Sequence, residues 1–164
     1  MLIAQSMLIL AVLTITSASK SESSENGWVP FRGHLYYLVR ESLFRADAEA
    51  RCVEMGGHLV SIHNNAENKF VHKLRDRNAV WLGLSKNGLN DTYKWSDGSP
   101  HDFPIPWDLR QPNEPWTDCI FMAYRANNLG RWSDFFCDSP DFPVYYFPSP
   151  PYTVCKKPQV NNEL

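Results

Sequence analysis

The sequence predicts one disulfide-stapled domain that mixes helices with strands and carries a long irregular segment from Ser85 to Pro115. Three observations point there. Apolar residues recur at helical spacing in two stretches. Runs of strand length, rich in aromatic and β-branched residues, stand before, between and after them. Four cysteines follow an export signal, in a chain whose 164 residues and 43% hydrophobic content suffice for one core.

Residues 1–19 are apolar from Leu2 to Ile15, lack side-chain charge and end in small residues, with Thr16 and Ala18 placed for cleavage. This reads as a signal peptide of a secreted, extracellular protein. A signal anchor is the rival, but the run falls short of the roughly 20 apolar residues a bilayer span needs. No other segment is apolar enough to span, so the mature chain is expected to have no membrane span. Residues 20–27 read as a short disordered leader, Ser- and Glu-rich and without apolar periodicity.

Structure is expected from Trp28. Leu35 to Val39 suits a strand, after which Ser42 is placed to cap a helix with Phe44, Ala48, Cys52 and Met55 on one buried stripe. Gly56-Gly57 ends that helix. A short strand from His58 to Ile62 follows. Asn64 and Glu67 then have capping-box spacing, and Ala66, Phe70 and Leu74 continue a second amphipathic helix. Val80 to Leu84 is a continuous apolar run, as for a strand covered on both faces.

From Ser85 to Pro115 the density of proline and glycine excludes long helices and interior strands. Trp95, Phe103 and Trp107 imply that this loop is packed, because exposing several large rings together is costly. Cys119 to Tyr124 and Gly130 to Asp134 read as a hairpin closed around residues 125–129. An extended, Pro- and aromatic-rich loop at 138–154 lies ahead of Cys155, and residues 158–164 form a C-terminal tail. Asn90-Asp91-Thr92 is the only N-x-S/T sequon, which makes Asn90 a glycosylation candidate.

The formal net charge of −2 is spread without a basic stripe, which argues against nucleic acid as a partner. His34, His58, His63, His72 and His101 show no metal-protease or cysteine-paired spacing, and no nucleophile motif is present, so an enzyme is not expected. Four cysteines allow three pairings, and spacing alone does not choose among them.

The order of features resembles the C-type-lectin-like family from about residue 28 to residue 157. It is carried by the first-helix Cys52 followed by Gly-Gly-His-Leu-Val-Ser-Ile at 56–62, Trp-Leu-Gly-Leu at 81–84, and Lys-Trp-Ser-Asp-Gly-Ser at 94–99. Gln-Pro-Asn at 111–113, Asp118-Cys119, Trp132-Ser133-Asp134, Cys137 and Tyr152-Thr153-Val154-Cys155 complete it. The resemblance implies an α+β fold in which two helices flank antiparallel sheets and a long loop forms the binding surface. It also implies the pairs Cys52–Cys155 and Cys119–Cys137. Closing a loop of about a hundred residues through Cys52–Cys155 is valued at about 4.7 kcal/mol by the chain-entropy model.

In calcium-dependent members of the family, two sugar hydroxyls bind directly to Ca²⁺, and the ion's protein ligands also bind those hydroxyls. The resemblance carries that site onto Gln111, Asn113, Ser133 and Asp134, with the Gln111–Pro112 bond cis. The family pattern is Glu-Pro-Asn for mannose-type sugars and Gln-Pro-Asp for galactose-type ones. Gln111-Pro112-Asn113 matches neither, so the preferred sugar is left open. Thr117 stands where the family places a glutamate, which leaves Asp134 as the one matched carboxylate. Ligand charge tunes calcium affinity, so a weakened Ca²⁺ site is expected. Lys86 and Asn90 fall where an auxiliary calcium site needs carboxylates. The implied function is a secreted carbohydrate- or glycoconjugate-binding protein.

The alternative is a calcium-independent binder of a protein, lipid or glycan that uses aromatic loop residues, among them Trp107, Trp116, Phe142, Tyr145, Tyr146, Phe147 and Tyr152. In that case Gln111, Asn113, Ser133 and Asp134 serve only to hydrogen-bond the loop.

Overall fold

The computed structural model describes residues 25–113, 118–123, 130–137 and 150–160. The signal-peptide residues 1–19, most of the leader, the hairpin turn 125–129 and residues 138–149 of the loop expected at 138–154 lie outside them, as do Trp116, Phe142, Tyr145, Tyr146 and Phe147, whereas residues 152–154 of that expected loop belong to a strand.

Among the described residues a 3-10 turn at Glu25–Gly27, inside the expected leader, precedes two α-helices and eight strands in the order β1 (Val29–Phe31), β2 (His34–Val39), α1 (Arg45–Glu54), β3 (His58–Leu59), α2 (Asn65–Leu74), β4 (Val80–Ser85), β5 (Lys94–Trp95), β6 (Cys119–Met122), β7 (Trp132–Phe135) and β8 (Tyr152–Pro158). The strands form one sheet in the order β1-β2-β8-β4-β6-β7, with β3 joined to β8 and β5 to β4. The expected antiparallel pairing holds at every junction but one. β8 returns from the far end of the chain and runs antiparallel to β2, which leaves it parallel to β4.

The pleat sorts side chains into two cores. Tyr36, Leu38, Val80, Leu82, Leu84, Ile120, Met122, Trp132 and Val154 face one side, with Val71 of α2 and Phe103, Ile105 and Trp107 of the long loop. Val39, Trp81, Cys119, Phe121 and Cys155 face the other, with Ala48 and Cys52 of α1. Alternation in β4 and β6 thus accounts for the continuous apolar runs: both faces of the strand are covered. Gly83 in β4 is required by close approach, because a Cβ there would lie 2.7 Å from the Leu59 carbonyl oxygen.

Both disulfides form as the resemblance implied. Cys52–Cys155 ties α1 to β8, and Cys119–Cys137 closes the β6–β7 end, each with Cα atoms 5.2 Å apart. Gly56, at φ 78, follows α1 as expected.

Two helix details differ from the sequence reading. α1 starts at Arg45 with Phe44 as its N-cap and no side-chain cap, so Ser42 does not cap it. Phe44 is accordingly 38% exposed rather than part of the buried stripe of Ala48 and Cys52. In α2 the Asn64 side chain caps the Glu67 N–H at 3.0 Å, as expected. The deeply buried face, however, is Glu67, Asn68 and Val71, and Phe70 and Leu74 only flank it. The Glu67 carboxylate bonds the His63 N–H instead of closing the capping box on Asn64. Among the described residues, no helix is long and apolar enough to cross a membrane.

Candidate functional site

The long loop is anchored before it is free to present anything. Trp95 is buried at 5.9 Å from the Trp132 ring, and Phe103 lies 6.0 Å from the same ring. Trp107 packs toward that core and joins the β7 edge as an isolated bridge to Trp132. The Trp132 N–H donates to the Pro106 carbonyl and the Asp108 N–H to the Trp132 carbonyl, at 3.0 and 2.8 Å. The Trp132 indole N–H bonds Asn68 Oδ1 at 2.9 Å, and Asn68 Nδ2 bonds the Gly130 carbonyl, so α2, β7 and the loop share one support. Covering an edge strand in this way satisfies its backbone and sets where residues 108–113 emerge.

Asn113 and Asp134 meet at that exit, and Gln111 stands two residues before Asn113. The Gln111–Pro112 bond is cis, as the resemblance implied. Asn113 N–H points at Asp134 Oδ1, 3.4 Å away. Gln111 Oε1 is buried and makes no hydrogen bond to any described residue. An acceptor left buried without a partner is costly and marks a place where a donor or a cation is missing. Asp134 is buried and shares its strand face with Trp132 and the loop. By register Ser133 falls on the opposite face, with Phe121. Ser133 is thus adjacent to the cluster in sequence but separated from it by the pleat.

Tyr93 is not legible as a site residue because it sits in no periodic segment, and Lys86 enters the sequence reading only as a misfit at the auxiliary calcium position. The Tyr93 hydroxyl is pushed up to about 12 by burial, and next by the carboxylates of Asp134 and Asp118. The Lys86 ammonium lies 5.6 Å from the Tyr93 ring centre. Asp118 accepts the Lys86 N–H through its carbonyl at 2.8 Å and the Gly88 N–H through its carboxylate at 3.3 Å. Asn90 is exposed on the same 86–92 loop.

The donors fit a hard cation only weakly. Gln111 Oε1, the Asn113 side chain and Asp134 offer oxygen atoms of the right kind but a single carboxylate, against the six to eight oxygen ligands calcium takes. Among the described residues no three His, Cys, Asp or Glu side chains converge on a metal position. Glu114 and Thr117 lie outside them.

A second polar cluster stiffens the base of the loop. Lys156 Nζ bonds Glu67 Oε1 at 2.6 Å, with both side chains 6% exposed, and also reaches the Ser61 carbonyl and Oγ at 3.1 Å. Tyr36 donates to the same Glu67 oxygen, and Ser61 donates to Asp97 at 2.5 Å. Burial alone would raise the Glu67 carboxyl, but the bonds from Lys156, Tyr36 and His63 outweigh it and hold it below the usual range. Two histidines serve as local struts, His63 on Asp102 at 2.8 Å and His58 on Glu49 at 2.6 Å.

The comparisons agree with this architecture. Residues 42–144 match the model of the lectin C-type domain. The mouse protein "C-type lectin domain family 6 member A" is 33% identical over 116 residues, which is 70% of this chain and 56% of that one, so the chain spans about half its length. The cow C-type carbohydrate-recognition domain of CD23, solved in the presence of GlcNAc2Man3 oligosaccharide, is similar at a TM-score of 0.69 and 25% identity, over 85% of this chain and 98% of that one. A calcium-independent type II antifreeze protein is similar at 0.67 and 26%, over 84% and 96%.

Proposed function

This chain belongs to the C-type lectin domain family, and from that premise we propose that it is a secreted carbohydrate- or glycoconjugate-binding protein, not an enzyme, that engages sugar hydroxyls through a weakened Ca²⁺ site. The ligands assigned are Gln111, Asn113 and Asp134, while Ser133, next to Asp134 in sequence, faces the other side of its strand. The observation that carries this reading is the buried Gln111 Oε1, unpartnered among the described residues and two residues ahead of the Asn113–Asp134 contact. That oxygen has no donor among the described residues, so a cation or a ligand hydroxyl is the natural partner. The related cow domain was solved in the presence of an oligosaccharide, which supports the ligand class.

Calcium, when bound, supplies a Lewis-acidic anchor for two adjacent hydroxyls. The chain's own groups do the remaining work: neutral amides of Gln111 and Asn113 donate to hydroxyl lone pairs, and Asp134 accepts hydroxyl protons. Export rests on residues 1–19 and on two disulfides, which persist in oxidising compartments. Asn90 is assigned a glycan on its exposed sequon.

Calcium-independent binding on the same scaffold is the second reading, favoured by the single carboxylate and by Lys86 beside Tyr93 and Asp118. A relative that is itself calcium-independent shares the fold. Among the rings proposed for it, Trp107 and Tyr152 pack against the core and offer little free face. Retention on mannose and galactose resins with and without chelator separates the readings. Chelator-sensitive retention supports the calcium site, chelator-insensitive retention supports the second reading, and no retention on either resin or on a wider neutral-glycan panel overturns the carbohydrate assignment.

A further inference from the structure

We infer that Leu109 and Arg110, at the tip of the long loop, determine specificity and select an acidic sugar that bears a carboxylate or a sulfate; this rests on the carbohydrate-binding reading above. The Gln111 N–H bonds the Asp108 carbonyl at 3.0 Å and closes a four-residue turn with Leu109 and Arg110 at its centre. Asp108 Oδ1 accepts the Leu109 N–H at 2.8 Å and braces that turn from its first residue. The tip is therefore built, and it leads directly into Gln111.

Its two central residues are unusual for such a turn. Arg110 has φ 66, where a glycine or asparagine is expected, and Leu109 is 79% exposed. Arg32 and Arg77 also have positive φ, but Arg32 lies over the Phe31 ring in the β1–β2 turn, and neither adjoins the candidate site. Arg110 forms no ion pair and no side-chain hydrogen bond with any described residue. Arg40, Arg45, Arg51, Arg75 and Arg131 are all engaged with protein groups. Asp108, its nearest carboxylate in sequence, is turned onto the Leu109 N–H.

The chemistry that answers this tip is anionic. A guanidinium presents five N–H donors in a planar fork that matches carboxylate or sulfate oxygens in pairs. Gln111 and Asn113 offer neutral amides for hydroxyls, so Arg110 places a positive charge at the edge of a site whose own carboxylate, Asp134, is buried. The exposed Leu109 isobutyl group would cover the apolar face of the ring or an acyl methyl on it.

The test uses the secreted, disulfide-bonded chain and three probes on one core disaccharide: neutral, sulfated and carboxylated by a terminal sialic acid. Phosphatidylserine vesicles form a fourth arm. The expected result is about tenfold tighter binding of at least one acidic probe than of the neutral one at low salt, with the preference shrinking as salt rises. The Arg110→Gly variant suits φ 66 and so folds, and it should bring the acidic-to-neutral ratio near one, whereas Arg110→Lys keeps part of the preference. Which acidic probe responds distinguishes sulfate from carboxylate. Neutral binding with the same ratio in wild type and Arg110→Gly would overturn the inference and leave the carbohydrate reading standing. Arg110-dependent vesicle binding without a glycan preference would overturn it in favour of an anionic membrane surface, and failure to bind any probe would overturn both.

Discussion

Substituting Glu67→Gln removes one charge from the pair that joins α2 to β8 beneath the long loop. The Lys156 ammonium then remains buried, with the Ser61 carbonyl and hydroxyl at 3.1 Å, the Tyr36 ring at 5.9 Å and the charge of Asp97 to compensate it. Breaking a buried ion pair by removing one partner typically costs about 3–5 kcal/mol. The glutamine still accepts the Tyr36 hydroxyl, and Ser61 still solvates the ammonium, so the lower end, about 3 kcal/mol, is expected. For a domain of this size that corresponds to a fall in Tm of roughly 6–12 °C. Thermal and urea unfolding of the oxidised protein, followed by circular dichroism, measures it. The double variant Glu67→Gln, Lys156→Met should recover much of the loss, because it removes the orphaned charge as well.

The same group sets a pH dependence. Its carboxyl is held below the ordinary value in the folded protein, so the stability it contributes is present above the unfolded pKa of about 4.3. That contribution is lost as pH falls through the lower folded pKa. The gap between wild type and Glu67→Gln should therefore be full at pH 7 and close in acid. A Tm change under 2 °C at pH 7, taken against the scale of roughly 2–4 °C per kcal/mol, would refute the reasoning, as would a gap that widens in acid.

Other expectations follow from the same contacts. Paired Cys52→Ala and Cys155→Ala substitutions should cost about 4–5 kcal/mol by the chain-entropy model, against about 3 kcal/mol for Cys119 with Cys137, which lie 18 residues apart; unfolding midpoints in denaturant rank the two. Asn68→Ala leaves the buried Trp132 indole N–H without its acceptor and should cost about 1–3 kcal/mol, together with faster protease cleavage in the long loop. Asn64→Ala removes the α2 cap and should cost about 1 kcal/mol, read from the same melts.

The parts of the fold that were legible in the sequence are those that local chemistry decides. The β4 run, the Asn64 cap and the Gly56 helix end each declare themselves within a few residues. The disulfide pairing and the cis Gln111–Pro112 bond came only with the family resemblance. What escaped depends on partners far away along the chain. Apolar periodicity pointed to Ala66, Phe70 and Leu74 as the inner stripe of α2, but Lys156, 89 residues on, makes it favourable to bury Glu67 instead. Ser42 has the right chemistry for a cap, yet the chain turns into helix only after Phe44, where no side chain is needed. At the site, the sequence named Gln111, Asn113, Ser133 and Asp134 as one group, and the strand register puts Ser133 and Asp134 on opposite faces. Tyr93 and Lys86 gain meaning only when Asp134 and Asp118 are brought against them.

Calorimetric titration of Ca²⁺ into the purified, disulfide-bonded domain, beside an Asp134→Ala control whose fold is verified by its melt, addresses the central claim most directly. Saturable heat in the millimolar range, absent from the control and enhanced by a retained sugar, is the predicted result for a site with one carboxylate. Tight micromolar binding that survives loss of Asp134, or no heat alongside chelator-insensitive sugar retention, would contradict a calcium site at Gln111, Asn113 and Asp134.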